Sequence, residues 1–259
     1  QGPAIAQGWL GRARDLLGDL DQSDESGALA GSRSPSPAAP EHGWLAVREA
    51  ELALNVTHDP LTALARARHT VEVGRGLQQA DLELVGMALV GWAEVQLGRP
   101  ADGLRRLDTA AVSALAGDVS DVMWTGKICC WLVAASQSVQ DFARAAQWCE
   151  RIEALSLERG LDALFTTCRV QHAAVQMATG RWGFAESTLA EILERTERSA
   201  RAFRTDATVQ LGELRRRQGR FDDALALFDQ AEFDPRSVVG RALIQLELGQ
   251  AQRAWNTVR

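Results

Sequence analysis

A six-residue turn signature returns along the chain at nearly constant spacing. Gly98-Arg99-Pro100-Ala101-Asp102-Gly103, Gly180-Arg181-Trp182-Gly183-Phe184-Ala185, Gly219-Arg220-Phe221-Asp222-Asp223-Ala224 and Gly249-Gln250-Ala251-Gln252-Arg253-Ala254 each set a glycine five residues ahead of a small residue. His58-Asp59-Pro60-Leu61-Thr62-Ala63 and Gln140-Asp141-Phe142-Ala143-Arg144-Ala145 fit the same frame without the glycine. The anchors fall at 58, 98, 140, 180, 219 and 249, in steps of 40, 42, 40, 39 and 30 residues. A supersecondary unit of this size cannot bury its apolar face alone, so each must stack on the next. The expected fold is all-α: a right-handed superhelical solenoid of stacked antiparallel helical hairpins, with a repeat of about 40 residues.

From Gly43 onward the pattern is helix, short breaker, helix. Apolar residues recur at three and four in Leu84-Val85-Met87-Ala88-Leu89-Trp92-Val95-Leu97 and in Leu225-Leu227-Phe228-Ala231, the spacing of an amphipathic helix. Breakers stand at Gly74 with Gly76, Gly98 with Pro100, Gly117 with Asp118, Gly160, Gly180, Gly219, and Asp234 with Pro235. About thirteen helices follow from the rules for helix ends. Upstream, Ile5 to Leu20 reads as a helix with Trp9, Leu10, Ala13, Leu16, Leu17 and Leu20 on one side. Residues 21–40, rich in Ser and Gly and carrying Pro35, Pro37 and Pro40, read as a disordered linker. Gln1-Gly2-Pro3 matches the junction of a 3C-type protease cut, and only ten residues follow Gly249. The expected organisation is therefore a scar at 1–3, the second helix of a truncated hairpin at 4–20, the linker at 21–40 and an array of about six hairpins at 41–259.

Composition narrows the function. Of 259 residues 46% are hydrophobic, enough to build a large core once hairpins stack. The net charge is −6, so no general attraction to nucleic acid or anionic membrane is expected. Tyrosine is absent, tryptophan occurs eight times, and Lys127 is the only lysine, a bias of high-GC, actinobacterial type. Cys129, Cys130, Cys149 and Cys168 form no CxxC pair and have no neighbouring histidine. They are expected as reduced, small apolar groups and not as zinc ligands. No signal peptide and no apolar run of membrane-spanning length is present, so a cytoplasmic location is expected. His42, His58, His69 and His172 are scattered, and no Ser/His/Asp grouping or glycine-rich phosphate cradle is found. Neither catalysis, a cofactor nor a metal is expected.

One stretch carries a family likeness. Leu211-Gly212, Gly219, Phe221, Ala224, Phe228, Ala231 and Pro235 reproduce the tetratricopeptide spacing of LG, G, aromatic, A, aromatic, A and P. Gly91 with Gly98 repeats the interval from Gly212 to Gly219, whereas Ala173 and Val133 replace the close-approach glycine and Trp182 replaces Phe221. The period exceeds the tetratricopeptide length of about 34. Longer hairpins of this kind, and the phrase from Leu211 to Ala224, resemble the helical repeat region of actinobacterial LuxR-type, MalT-like ATPase transcription regulators. That resemblance implies a regulatory domain excised from a longer protein. The phosphate loop and the helix-turn-helix of those regulators are absent from this sequence.

In tetratricopeptide arrays the first helix of each hairpin lines the concave face, where partners lie. Counting back from each anchor by thirteen, ten, six and three residues gives the inward positions. These are Val85, Ala88, Trp92 and Val95, then Lys127, Cys130, Ala134 and Gln137, then Thr167, Val170, Ala174 and Met177, then Asp206, Val209, Glu213 and Arg216. Much of this surface is small and apolar: either a groove filled by a partner, or core if the coil is tight. Lys127 is either an anion contact or a snorkelling side chain. The paired Lys and Asn that clamp a carboxylate in co-chaperone arrays are missing, since Arg48 with Leu52 and Ala88 with Trp92 hold the corresponding places.

The expected function is a regulatory domain that binds a protein, a peptide or a small-molecule effector on its concave face and responds by a change in curvature or interdomain contact. It is expected to bind neither nucleic acid nor membrane directly, and to be able to form a homo-oligomer. A free-standing adaptor that scaffolds a complex is the alternative.

Overall fold

A computed structural model describes residues 3–27, 40–159, 166–195 and 201–259. Among them are thirteen α-helices, one π-helical turn and no strand. The expected scar at Gln1 and Gly2, the core of the expected linker at 28–39, and the breaker Gly160 lie outside the described residues. The chain divides into two compact units, Gln1–Val139 and Gln140–Arg259.

The first unit holds α1 (Pro3–Gly27), α2 (Pro40–Leu52), α3 (Pro60–Gly76), α4 (Ala80–Gln96), α5 (Pro100–Ala116) and α6 (Val122–Ser138). A π-helical turn at Ala53–Thr57 prolongs α2. α3 packs against α2 and α4, α5 against α4 and α6, and α2 and α6 each touch α4. The second unit holds α7 (Phe142–Arg159), α8 (Thr166–Ala178), α9 (Trp182–Arg195), α10 (Arg201–Arg217), α11 (Phe221–Gln230), α12 (Pro235–Glu247) and α13 (Ala251–Val258). There α10 touches both α8 and α12, while α9 and α11 pack behind them. Each unit is thus built of stacked antiparallel hairpins.

The turn signature has one conformational cause. Gly98, Gly180, Gly219 and Gly249 have φ of 77, 80, 73 and 75°, and the two non-glycine anchors, His58 and Gln140, have φ of 51 and 61°. The left-handed region ends one helix and aims the next, and glycine enters it without a Cβ penalty. Helix starts are fixed by side chains. The Asp59 carboxylate accepts the Thr62 N–H at 3.1 Å ahead of α3. Asp121 accepts that of Met123 at 2.8 Å ahead of α6, and Asp234 that of Arg236 at 2.9 Å ahead of α12.

Close approach between helices depends on missing side chains. A Cβ on Gly91 would lie 2.6 Å from the Gly103 carbonyl oxygen, and one on Gly103 would lie 2.4 Å from that of Gly91. α4 and α5 therefore cross backbone to backbone. Phe228 of α11 is wedged between Gly212 of α10 and Gly240 of α12, each of which would place a Cβ under 3 Å from its ring. Gly74 is not the breaker the sequence suggested. It lies buried inside α3 against the Glu83 backbone, and the turn comes at Gln78, with φ 54°. α1 extends to Gly27, into the stretch read as linker, and packs on α2. Its Leu10, Ala13 and Leu17 are half-buried, whereas Trp9 and Leu16 are exposed.

Candidate functional site

In the first unit the inward-facing helices are α2, α4 and α6. Trp44, Arg48 and Glu51 follow at intervals of four and three on α2, and Trp124, Lys127 and Trp131 at three and four on α6, so each set shares one helix face. The two faces meet. Trp44 stacks on Trp124 with ring centroids 5.0 Å apart and planes inclined by 22°. The Arg48 guanidinium lies 4.9 Å from the Trp124 centroid, and Lys127 Nζ lies 5.0 Å from Trp124 and 5.9 Å from Trp131. Glu51 joins the two cations: one carboxylate oxygen pairs with Lys127 and the other accepts from Arg48 Nη1 at 2.7 Å. Two cations and one carboxylate leave a formal charge of +1 on an indole platform. Arg48 keeps 48% and Lys127 32% of its side chain exposed. An ammonium or guanidinium over an indole face gains electrostatic attraction, and the aromatic surface holds the cation available to a second, anionic partner.

On α4, Trp92 is half-buried, and its Nε1–H has no acceptor among the described residues. Val85, Ala88 and Val95 of the same helix are buried. They form core between helices and not the lining of a groove. The same correction applies in the second unit to Val170 and Met177, which pack with Leu189 and Ile192 of α9 and Leu211 and Leu214 of α10, and to buried Val209. Cys130, Ala134, Gln137 and Ala174 are half-buried, and the Thr167 side chain lies outside the described residues. Cys129 and Cys149 are buried and in the thiol form.

The inward side of α10 and α12 is occupied by ion pairs. Glu213 accepts from Arg216 at 2.8 Å and Arg217 at 2.7 Å, and Arg216 also pairs with Glu247. Burial works to raise the Glu213 pKa, but these guanidiniums outweigh it and hold it below the usual carboxylate range. Asp206 pairs with Arg236 at 2.5 Å, and Arg236 with Asp234 at 2.7 Å. Glu213 and Arg216 therefore satisfy each other. On α8, burial lowers the pKa of His172, opposed by Glu153, whose carboxylate lies 3.6 Å from Nδ1. Among the described residues no His/Cys/Asp/Glu grouping could hold a metal ion, and no helix is long and apolar enough to cross a membrane.

Several solved structures share this arrangement of hairpins. A tetratricopeptide repeat protein from Parabacteroides merdae superposes with a TM-score of 0.53 at 15% identity, covering 84% of this chain and 77% of its own. RapI in its apo form gives 0.61 at 13% identity, over 94% of this chain and 68% of its own. The fold is tetratricopeptide-like. A third structure, NprR in complex with its cognate peptide NprX, gives 0.61 at 14% identity, over 97% of this chain and 75% of its own. No family model and no curated protein matches the sequence.

Within this tetratricopeptide-like frame, Lys127, one of the positions given by the inward count, belongs to the cluster on α2 and α6. What sequence reading missed is the set around it: Trp44, Glu51, Trp124 and Trp131. The signal was the three-and-four spacing of polar and aromatic residues on two helices. The pairing of Glu51 with Lys127 across 76 residues could only come from the packing.

Proposed function

We propose that the chain is a regulatory, peptide-binding repeat domain whose recognition surface is the cationic and aromatic face of α2 and α6. The observation that carries this is the placement of Arg48 and Lys127 on the Trp124 ring with a single carboxylate between them. An acidic side chain or terminal carboxylate of a peptide would draw on the surplus positive charge, while its apolar groups lie on the indoles. The buried Trp92 N–H offers a donor for a peptide carbonyl once the surface opens. A structure of NprR with a peptide gives the fold a precedent for this mode of use. The Leu211–Ala224 phrase further supports origin in a LuxR-type transcription regulator, in which occupation of this face would shift contacts with other domains.

The test is a titration of the protein with a synthetic library of heptapeptides, grouped as acidic, neutral and basic, followed by tryptophan fluorescence and calorimetry. Acidic members are expected to bind, and Lys127→Ala and Arg48→Ala to weaken them at least about tenfold each. Equal binding by wild type and both variants, or preference for basic peptides, would overturn the assignment. Sequencing the gene beyond both ends tests the origin: a phosphate loop upstream and a helix-turn-helix downstream are expected.

A further inference from the structure

A second charged site lies on the other side of α2. Glu49 and Glu51 are two residues apart, so they project about 200° apart around the helix. Glu49 is 6% exposed, and each oxygen of its carboxylate holds one guanidinium through Nε: Arg14 of α1 on Oε1, and Arg66 of α3 on Oε2 at 2.9 Å. The Nη groups of both arginines have no other partner among the described residues, and both side chains remain about half exposed. A cavity of about 230 Å³ opens beside them between α1, α2 and α3, lined also by Leu17, His42 and His69.

Four features of this arrangement point the same way. A guanidinium held by Nε keeps its planar Nη edge for a second carboxylate or phosphate. The two arginines come from different helices, pair with one carboxylate and line one cavity, so a single anion can meet both. The buried carboxylate fixes their orientation without cancelling them, because two positive charges face one negative. The volume is below the roughly 300–1,000 Å³ of pockets for drug-sized ligands, so it suits a compact anion and excludes a peptide of several residues. The ion pairs alone would explain two arginines on a buried glutamate. They would not explain an open cavity lined by both arginines and by the glutamate that pairs them.

We propose that this cavity binds a compact oxyanion, a carboxylate or a phosphate, clasped between Arg14 and Arg66, with Glu49 as their positioning residue. The site is independent of the peptide face on α2 and α6: its probes are small anions and its residues are different ones.

Calorimetric titration of the full chain at low ionic strength with sodium phosphate, with sodium succinate, and with sodium chloride at matched ionic strength tests it. One-to-one binding of phosphate or succinate is expected above the chloride background, and whichever binds identifies the anion class. Arg66→Lys keeps a cation for Glu49 but removes the planar fork, and it is expected to weaken binding about tenfold. Arg14→Ala is expected to do the same, while Arg105→Ala, at an exposed pair with Asp102 on α5, leaves binding unchanged. Circular dichroism of each variant verifies that the fold is retained. No binding of either anion beyond chloride would overturn the proposal. So would unchanged affinity in folded Arg66→Lys and Arg14→Ala, or binding of an acidic heptapeptide at this site in place of both small anions.

Discussion

At the scale of single residues, the repeat frame is a record of backbone conformation. A side chain in the left-handed region costs about 1–2 kcal/mol, which glycine avoids at some loss of chain entropy. His58 and Gln140 carry that cost at positions where four other repeats use glycine. His58→Gly is therefore expected to stabilise the chain by about 0.5–1 kcal/mol, read as a higher urea midpoint with an unchanged slope. A lower midpoint would mean that the histidine side chain itself holds the turn. This frame was legible because one residue per turn decides it. Gly74 was misread because a glycine that ends a helix and one that admits a neighbouring backbone look alike in sequence. Cys129 shows the same limit: burial pushes its pKa up to about 12, a property of packing and not of spacing. The thiolate is the reactive form, so Cys129 is expected to resist iodoacetamide at pH 8 in the native chain and to react once urea unfolds it. Mass spectrometry of the labelled peptide reads the outcome.

At the scale of helices, contact is set by what is absent from one partner and present in the other. Gly103→Ala would improve local helix propensity by about 1 kcal/mol, yet the new Cβ meets the Gly91 carbonyl oxygen at 2.4 Å and the Val95 nitrogen at 2.9 Å. Backbone cannot step aside as a side-chain tip can, so a net loss of about 1–3 kcal/mol is expected. An unchanged urea midpoint would show that α4 and α5 can separate freely. Phe228→Ala removes the ring that fills the space between Gly212 and Gly240, at an expected cost of about 3–5 kcal/mol. The residues of that wedge on α10 and α11 were legible from the 212, 224, 228 spacing. The inner face was legible only as a direction. Lys127, Trp92 and Glu213 keep part of their surface exposed, but Val85, Ala88 and Val95 were drawn into the core because α4 is flanked on both sides, by α2 and α6. Spacing along one helix tells which residues share a side; it does not tell how much of that side the neighbouring helices cover.

At the scale of the whole molecule, charge is distributed unevenly in a way the net value of −6 conceals. Among the described residues, the carboxylates held below their ordinary pKa are Asp141, Glu186, Glu191, Glu213 and Asp234 in the second unit, and the exposed Asp59 in the first. Hydrogen bonds from Arg144, Arg215, Arg169 and Arg236 are the leading causes at Asp141, Glu186, Glu191 and Asp234, and Thr62 is at Asp59. At Glu213 burial is the largest influence and opposes the lowering, which Arg216 and Arg217 bring about. A carboxylate with a lowered folded pKa contributes fully above its ordinary range of about 3.9–4.3, and that contribution is lost as pH falls through the lowered value. His172, also in the second unit and also lowered by burial, acts in the same direction at higher pH: its neutral form is the folded one, so acid opposes it. Residues 140–259 should therefore lose stability before residues 40–139 as pH falls from 7 towards 3. Hydrogen exchange by mass spectrometry, with the intrinsic pH dependence divided out, is expected to show α8, α9 and α10 losing protection while α3, α4 and α5 keep theirs. Added salt screens exposed pairs, so 0.5 M sodium chloride should narrow the gap that opens between the units as pH falls. Loss of protection in both units at one pH would mean that acid acts through the general charge of the chain and not through these pairs.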